Sequence, residues 1–111
     1  MRLDEFQVIV MTIVQAGPAK DIMIGTMKAV AAGDMEILVA NIEGEFFSIG
    51  NKCTHRGCKL SNGRMMGDHI ICPCHGSTFD LRTGGVVKGP AKEPEHSYRV
   101  KVENDTLLVE V

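Results

Sequence analysis

Two short stretches of the sequence, CTHRGC (Cys53 to Cys58) and CPCHGS (Cys72 to Ser77), hold all four cysteines of this 111-residue chain and two of its four histidines. Six soft donors in two clusters constrain the chain more than any other feature. A tetrahedral metal takes four ligands, so two donors are left over. Structural zinc sites use Cys and His four at a time, in Cys-x2-4-Cys and His-x3-5-His knuckles. Here each cluster mixes the two types: Cys53-Thr54-His55, then Cys72-Pro73-Cys74-His75. Mixed knuckles also occur around zinc, so this chemistry leaves zinc open. A binuclear iron–sulfur cluster fits the order better. With two His on one iron and two Cys on the other, it needs one Cys and one His from each of two loops.

Outside the clusters the pattern is that of strands. MEILVANI (Met35 to Ile42) and EFFSIGN (Glu45 to Asn51) flank Glu43-Gly44, a two-residue hairpin signal. SYRVKV (Ser97 to Val102) and TLLVEV (Thr106 to Val111) flank a turn at Glu103, Asn104 and Asp105. In the first of these, Tyr98, Val100 and Val102 alternate with polar residues. MKAVAA (Met27 to Ala32) precedes the turn Gly33-Asp34, and HIIC (His69 to Cys72) and STFDL (Ser77 to Leu81) form short strands beside the second cluster. The run from Gln7 to Val14 reads as a strand, because Asp4 and Glu5 stand where a signal peptide carries positive charge. Arg82 to Gly85 and Gly89-Pro90 mark turns. Ala16 to Ile24 has room for one turn of helix, and Lys52 to Gly67 forms a long irregular segment. Many short strands with Gly or Pro turns between them predict one all-β domain over residues 1–111, an antiparallel sandwich or small barrel.

Composition removes several function classes. A net charge of -2 argues against a broad nucleic-acid face. With no Trp, one Tyr and four Phe, the chain has little to stack bases on. No apolar run approaches the ~20 residues of a spanning helix, so a cytoplasmic protein without a membrane span is expected. The cysteines are concentrated beside histidines, which marks a site instead of a general disulfide framework.

CTHRGCKL, sixteen residues between His55 and Cys72, and then CPCHGSTFDLRTGGVVKGPA resemble the Rieske iron–sulfur family. The likeness runs from about Met27 to Val111 and is looser before that. It implies a Rieske-type β-fold with a two-loop cluster-binding subdomain, its loops at about 52–67 and 72–80. Gly89-Pro90-Ala91 corresponds to the family's shielding proline loop, at about 88–91. It also implies one [2Fe-2S] cluster per chain, with Cys53 and Cys72 on the inner iron and His55 and His75 on the outer. Neutral imidazoles in place of two thiolates raise the potential. Their second N–H, acidified by iron(III), makes that potential fall at high pH.

The spare cysteines, Cys58 and Cys74, match a disulfide found in the Rieske proteins of cytochrome bc complexes, so the resemblance implies that they pair. The competing reading is two buried free thiols, since cytosolic disulfides are uncommon. Ser77 stands where the family places a hydroxyl donor to a cluster sulfide. Phe79 occupies a position where bc-type members commonly have Tyr; lacking a hydroxyl, it is expected in the core, with a potential below the highest of that branch. Arg56 stands where those members usually have Leu, and suits a charged partner better than an apolar quinol pocket. Gly57 and Gly76 let the backbone pass close to the site. His69 and His96 read as ordinary histidines. Met65 and Met66 read as core, or less often as an apolar docking rim.

The resemblance implies a soluble Rieske-type ferredoxin that carries one electron between redox protein partners, acts as a monomer and has no catalytic residues of its own. The alternative is a subunit or fragment of a larger redox enzyme, such as a bc-type quinol oxidase or a nitrite reductase small subunit.

Overall fold

The computed structural model describes residues 12–111. The expected strand Gln7 to Val14 therefore lies largely outside the described residues. Ten strands follow in order: β1 (Ile13–Pro18), β2 (Met27–Ala32), β3 (Met35–Ile42), β4 (Glu45–Gly50), β5 (Arg64–Met66), β6 (His69–Ile71), β7 (Thr78–Asp80), β8 (Val86–Lys88), β9 (Ser97–Glu103) and β10 (Thr106–Glu110). Among the described residues, single 3-10 turns at Ala19–Asp21 and Leu60–Asn62 accompany the strands. The helical turn expected between Ala16 and Ile24 is the first of these.

Strands β1-β10-β9-β4-β3-β2 form a six-stranded sheet whose described pairings are all antiparallel. Its edge strands β1 and β2 meet, so the sheet curls toward a barrel. Strands β5-β6-β7-β8 form a second, smaller antiparallel sheet that carries the cysteine-rich segments. The all-β expectation holds, in the form of a small barrel with an attached cluster-loop subdomain.

Strand β3 joins the two parts. Ile37 and Val39 point into the barrel core with Leu107 and Val109, while Leu38, Ala40 and Ile42 face a second core. That second core gathers Ile49, Leu60, Ile70, Phe79, Leu81 and Ala91 between the barrel and the small sheet. A strand buried on both faces reads as a continuous apolar run, as ILVANI does. Its one polar member, Asn41, is satisfied: its Nδ2 donates to the Ile22 carbonyl at 2.8 Å and its Oδ1 accepts the Gly44 N–H at 2.9 Å.

The hairpin turns follow the sequence. Glu43 and Gly44 take φ 54° and 96°, and Asn104 and Asp105 take 49° and 63°. Two successive positive φ values are the type I′ pattern that suits the right-handed strand twist. Two expectations need correction. The segment from Lys52 to Gly67 is not irregular throughout, since it contains the Leu60–Asn62 turn and strand β5. Strand β8 was not expected either. Three-residue strands such as RMM and VVK are too short to show a period; they form because β6 and β7 offer them edges to pair with.

Candidate cluster-binding site

The first cysteine loop leaves the end of β4, and the second connects β6 to β7. Both fold with the same two backbone bonds. In the first, the Cys53 N–H donates to the Cys58 carbonyl at 2.8 Å, and the Gly57 N–H donates to the Cys53 carbonyl at 2.7 Å. In the second, the Cys72 N–H donates to the Ser77 carbonyl at 2.7 Å, and the Gly76 N–H to the Cys72 carbonyl at 3.2 Å. Gly57 and Gly76 hold nearly equal positive φ values, 76° and 78°. Such a turn asks for glycine four residues after the cysteine in each loop.

These loops bring the sequence-marked side chains together in two pairs, Cys53 with Cys72 and His55 with His75. Cys53 and Cys72 are free and each is only 2% exposed. Burial pushes the Cys72 thiol up, against hydrogen bonding from the Cys74 and His75 backbone, and the adjoining Cys53 adds to the rise. The imidazoles of His55 and His75 lie edge to face with centroids 5.4 Å apart. His55 is half-buried and His75 exposed, so this end of the site faces solvent.

Cys58 and Cys74 form a disulfide with Cα atoms 6.5 Å apart. The sulfurs of Cys58, Cys72 and Cys74 fall within 4.8 Å of one another. That trio is not a metal site, because two of its members are bonded together. It places the bridge directly against Cys72 instead.

Ser77 is fully buried, and its Oγ accepts the Ala91 N–H at 3.0 Å. This bond pins the Gly89-Pro90-Ala91 loop against the second cysteine loop and leaves the hydroxyl proton free to donate. Phe79 is fully buried in the core, as expected. Met65 packs against the core, while Met66 is exposed and pairs with His69 at the end of the small sheet away from the cysteine loops. His69 lies 3.5 Å from Asp68, and His96 packs on Tyr98. Neither belongs to the site.

Three supporting residues escaped the sequence reading. Asn51 is buried at the base of the first loop; its Nδ2 donates to Glu36 at 2.7 Å and Ser61 at 3.0 Å, and its Oδ1 accepts the Ser61 N–H at 2.8 Å. The bond from Asn51, and then the neighbouring Lys59, hold the Glu36 carboxyl below its usual range. Thr54 sits between Cys53 and His55. Its N–H donates to Glu95 Oε2 at 3.0 Å and its Oγ1 to the Glu93 carbonyl at 2.6 Å. Glu95 is 6% exposed, and burial pushes its carboxyl up to about 7 against the Thr54 bond. An Asn ending an apolar strand was a usable signal for the first. The sequence EPEH gave none for Glu95, whose burial comes from tertiary packing.

Comparison with known proteins matches this arrangement. The family described as Rieske [2Fe-2S] domain matches residues 12–104. The chain is 31% identical over 98 residues to the ferredoxin component of the naphthalene 1,2-dioxygenase system of Pseudomonas putida, covering 88% of this chain and 94% of that one. It is 35% identical over 95 residues to the cytochrome b6-f complex iron-sulfur subunit of Chlorobaculum tepidum, covering 86% of this chain and 51% of the relative. It covers 15% of apoptosis-inducing factor 3 of Homo sapiens, so some relatives are much longer. The solved structure of Sphingomonas yanoikuyae B1 ferredoxin superimposes with a TM-score of 0.84 at 30% identity, over 90% of this chain and 99% of that one. With the two-loop motif, the fold and these matches in agreement, the chain belongs to the Rieske [2Fe-2S] domain family.

Proposed function

We propose that this chain is a one-electron carrier holding one [2Fe-2S] cluster between its two loops, through Cys53 and Cys72 on the inner iron and His55 and His75 on the outer. The observation that carries this reading is a pair of free buried cysteines on two loops whose histidines adjoin one another. The donor set suits such a group. The buried Cys72 thiol resists ionisation on its own, and iron would supply the positive charge that makes a buried thiolate tolerable. Neutral imidazoles stand on the solvent side, which gives a less negative site than four thiolates and a higher potential.

When bound, the cluster supplies a centre that takes up and releases one electron. The protein's own residues do the rest. The core around Leu60, Phe79 and Ala91 excludes water from the inner side. The disulfide holds the loops at fixed separation. With a cluster bound, the free Ser77 proton would donate to one of its sulfides, which would favour the reduced form. The functional unit is one Rieske domain, with cluster loops at about 52–67 and 72–80 and a proline loop at about 88–91.

The dioxygenase-system ferredoxin relative supports a partnership with other redox proteins, one donating and one accepting. Among the described residues no helix is long and apolar enough to cross a membrane. A monomer in the cytoplasm completes the proposal. The second reading, the Rieske part of a larger redox enzyme, has a relative in the cytochrome b6-f subunit, about half of which this chain spans, but the ferredoxin relative, spanned almost whole, favours the carrier. Stable co-purification with a large partner would support that reading.

The test is a redox titration followed by EPR, from about pH 6 to about pH 10. A positive midpoint that drops at alkaline pH is expected. A strongly negative midpoint without pH dependence would remove the histidines from the cluster. A colourless protein with zinc and no labile sulfide would give the site to zinc.

A further inference from the structure

Charge is divided unevenly along the chain. Lys52 to Lys92 contains seven Lys or Arg and two Asp or Glu, while the remainder contains five and twelve. The fold then sorts the two acidic residues of that segment to the far end of the small sheet. Asp68 lies in the turn between β5 and β6, and Asp80 pairs with His69, whereas the cysteine loop joins the opposite ends of β6 and β7. Both are also engaged. Asp68 lies 3.5 Å from Arg82, and Asp80 Oδ1 accepts the Arg82 and Thr83 N–H groups.

The cluster end is left basic. Arg56 is exposed at the tip of the first loop beside His55. Lys88 is exposed opposite Thr78, the residue after Ser77. Lys92 is exposed next to Ala91, whose N–H meets Ser77. Among the described residues none of these three is in a salt bridge. Lys59 is offset by Glu36 at 3.4 Å, and Lys52 shares a cavity wall with Asp34 and Glu36. The opposing charges on this side are Glu93, exposed beside Thr54, and the buried Glu95.

We propose that Arg56, Lys88 and Lys92 form a basic collar around the two imidazoles, and that it docks an acidic face of a redox protein partner. The proposal rests on the electron-carrier reading and adds the partner's surface chemistry to it. The whole chain carries -2, so an acidic partner is repelled from most of its surface. The collar attracts it at the cluster end, which turns the imidazoles toward the partner and the acidic barrel away.

The test uses small redox probes of opposite charge. The holoprotein is reduced, its EPR signal is recorded, and its oxidation is followed by stopped flow. Ferricyanide is the anionic probe and tris(phenanthroline)cobalt(III) the cationic one. Each event passes one electron from the protein to the probe, with no proton required. Ionic strength is raised from about 0.01 M to about 1 M, which shortens the Debye length from about 30 Å to about 3 Å. The ferricyanide rate is expected to fall about fivefold or more, and the cobalt rate to rise. Replacing all three residues (Arg56→Glu, Lys88→Glu, Lys92→Glu) should reverse both slopes while the EPR signal is kept; Arg56→Glu alone should weaken them. A ferricyanide rate that rises with salt, as the net charge alone dictates, would overturn the collar, and so would an unchanged slope in the triple variant. Capture of the protein by anionic lipid vesicles at low salt would move the surface to a membrane and overturn the protein partner. A missing EPR signal would sink the cluster reading itself, whereas a normal signal with the wrong salt slope sinks only the collar.

Discussion

Placed residue on residue, the two cysteine loops share their backbone and differ in what they display. Cys53 aligns with Cys72, Gly57 with Gly76 and Cys58 with Ser77, each held by the same pair of bonds. On that frame His55 falls opposite Cys74, and Arg56 opposite His75. A one-residue offset of the imidazole thus frees a position in the second loop for the bridging cysteine. The loops also differ in how they are held. The second joins neighbouring strands of one small sheet, so the β6–β7 ladder fixes both its ends. The first leaves a barrel strand and depends on side chains distant in sequence: Asn51 on Glu36 and Ser61, and Glu95 on the Thr54 N–H. The first loop should therefore be more sensitive to single side-chain changes outside its own sequence.

The largest expected effect comes from separating the loops. Replacing Cys58 and Cys74 together by serine removes a bridge across 16 residues. A loop of that size stabilises by about 3 kcal/mol in the chain-entropy model. The thermal midpoint of the holoprotein should fall by roughly 10–20 °C. Adding reductant should then change the variant no further, while it lowers the parent.

Glu95 should separate the two attachments. Glu95→Ala leaves the Thr54 N–H without its acceptor and should cost about 2 kcal/mol in chemical denaturation. A pH series sharpens this. The carboxyl titrates near 7 in the fold against 4.5 in the unfolded chain. Between those values the folded protein keeps the proton and the unfolded chain releases it. Stability from this group is therefore fully present below about pH 4.5, declines as pH rises to about 7, and then levels off. Glu95→Gln retains an acceptor for Thr54 and should remove that decline. Persistence of the full decline in Glu95→Gln would assign it to another group.

How much of this was legible in the sequence follows from the range of each interaction. The proposed donor set was legible because Cys53, His55, Cys72 and His75 sit in two short runs with little else to explain them. The hairpins at Glu43-Gly44 and Asn104-Asp105 were visible because type I′ turns demand particular local residues. Burial of Phe79 followed from its apolar side chain. Glu95 was invisible, since nothing in EPEH signals a carboxylate folded inward to meet residue 54. The basic character of the cluster end was half visible. The run of Lys and Arg from Lys52 to Lys92 can be counted, but the removal of Asp68 and Asp80 to the far end depends on strand register.

Ser77 tests the second loop in the same way as Glu95 tests the first. Ser77→Ala strands the buried Ala91 N–H, which should cost about 1 kcal/mol. Loss of its free proton should also lower the cluster midpoint by tens of millivolts. A stability change with an unaltered midpoint would leave Ser77 as a fastener for the proline loop alone.

The smallest expected difference, that between matching substitutions in the two loops, bears most directly on the shared backbone. Gly57 and Gly76 adopt φ values only two degrees apart, 76° and 78°. A Cβ at Gly76 would meet nothing within 4 Å, and one at Gly57 would meet only Lys52 side-chain carbons, at 3.7 Å and 3.8 Å. Both are open or ordinary contacts, so each alanine substitution carries the left-handed backbone penalty and little else, about 1–2 kcal/mol. If the two turns are equivalent, the two penalties should agree within about 0.5 kcal/mol in denaturation of the holoprotein, although the loops are anchored so differently. A clearly larger cost at Gly57 would mean that the first loop cannot relax around the new side chain, because Asn51 and Glu95 hold it more rigidly than the ladder holds the second.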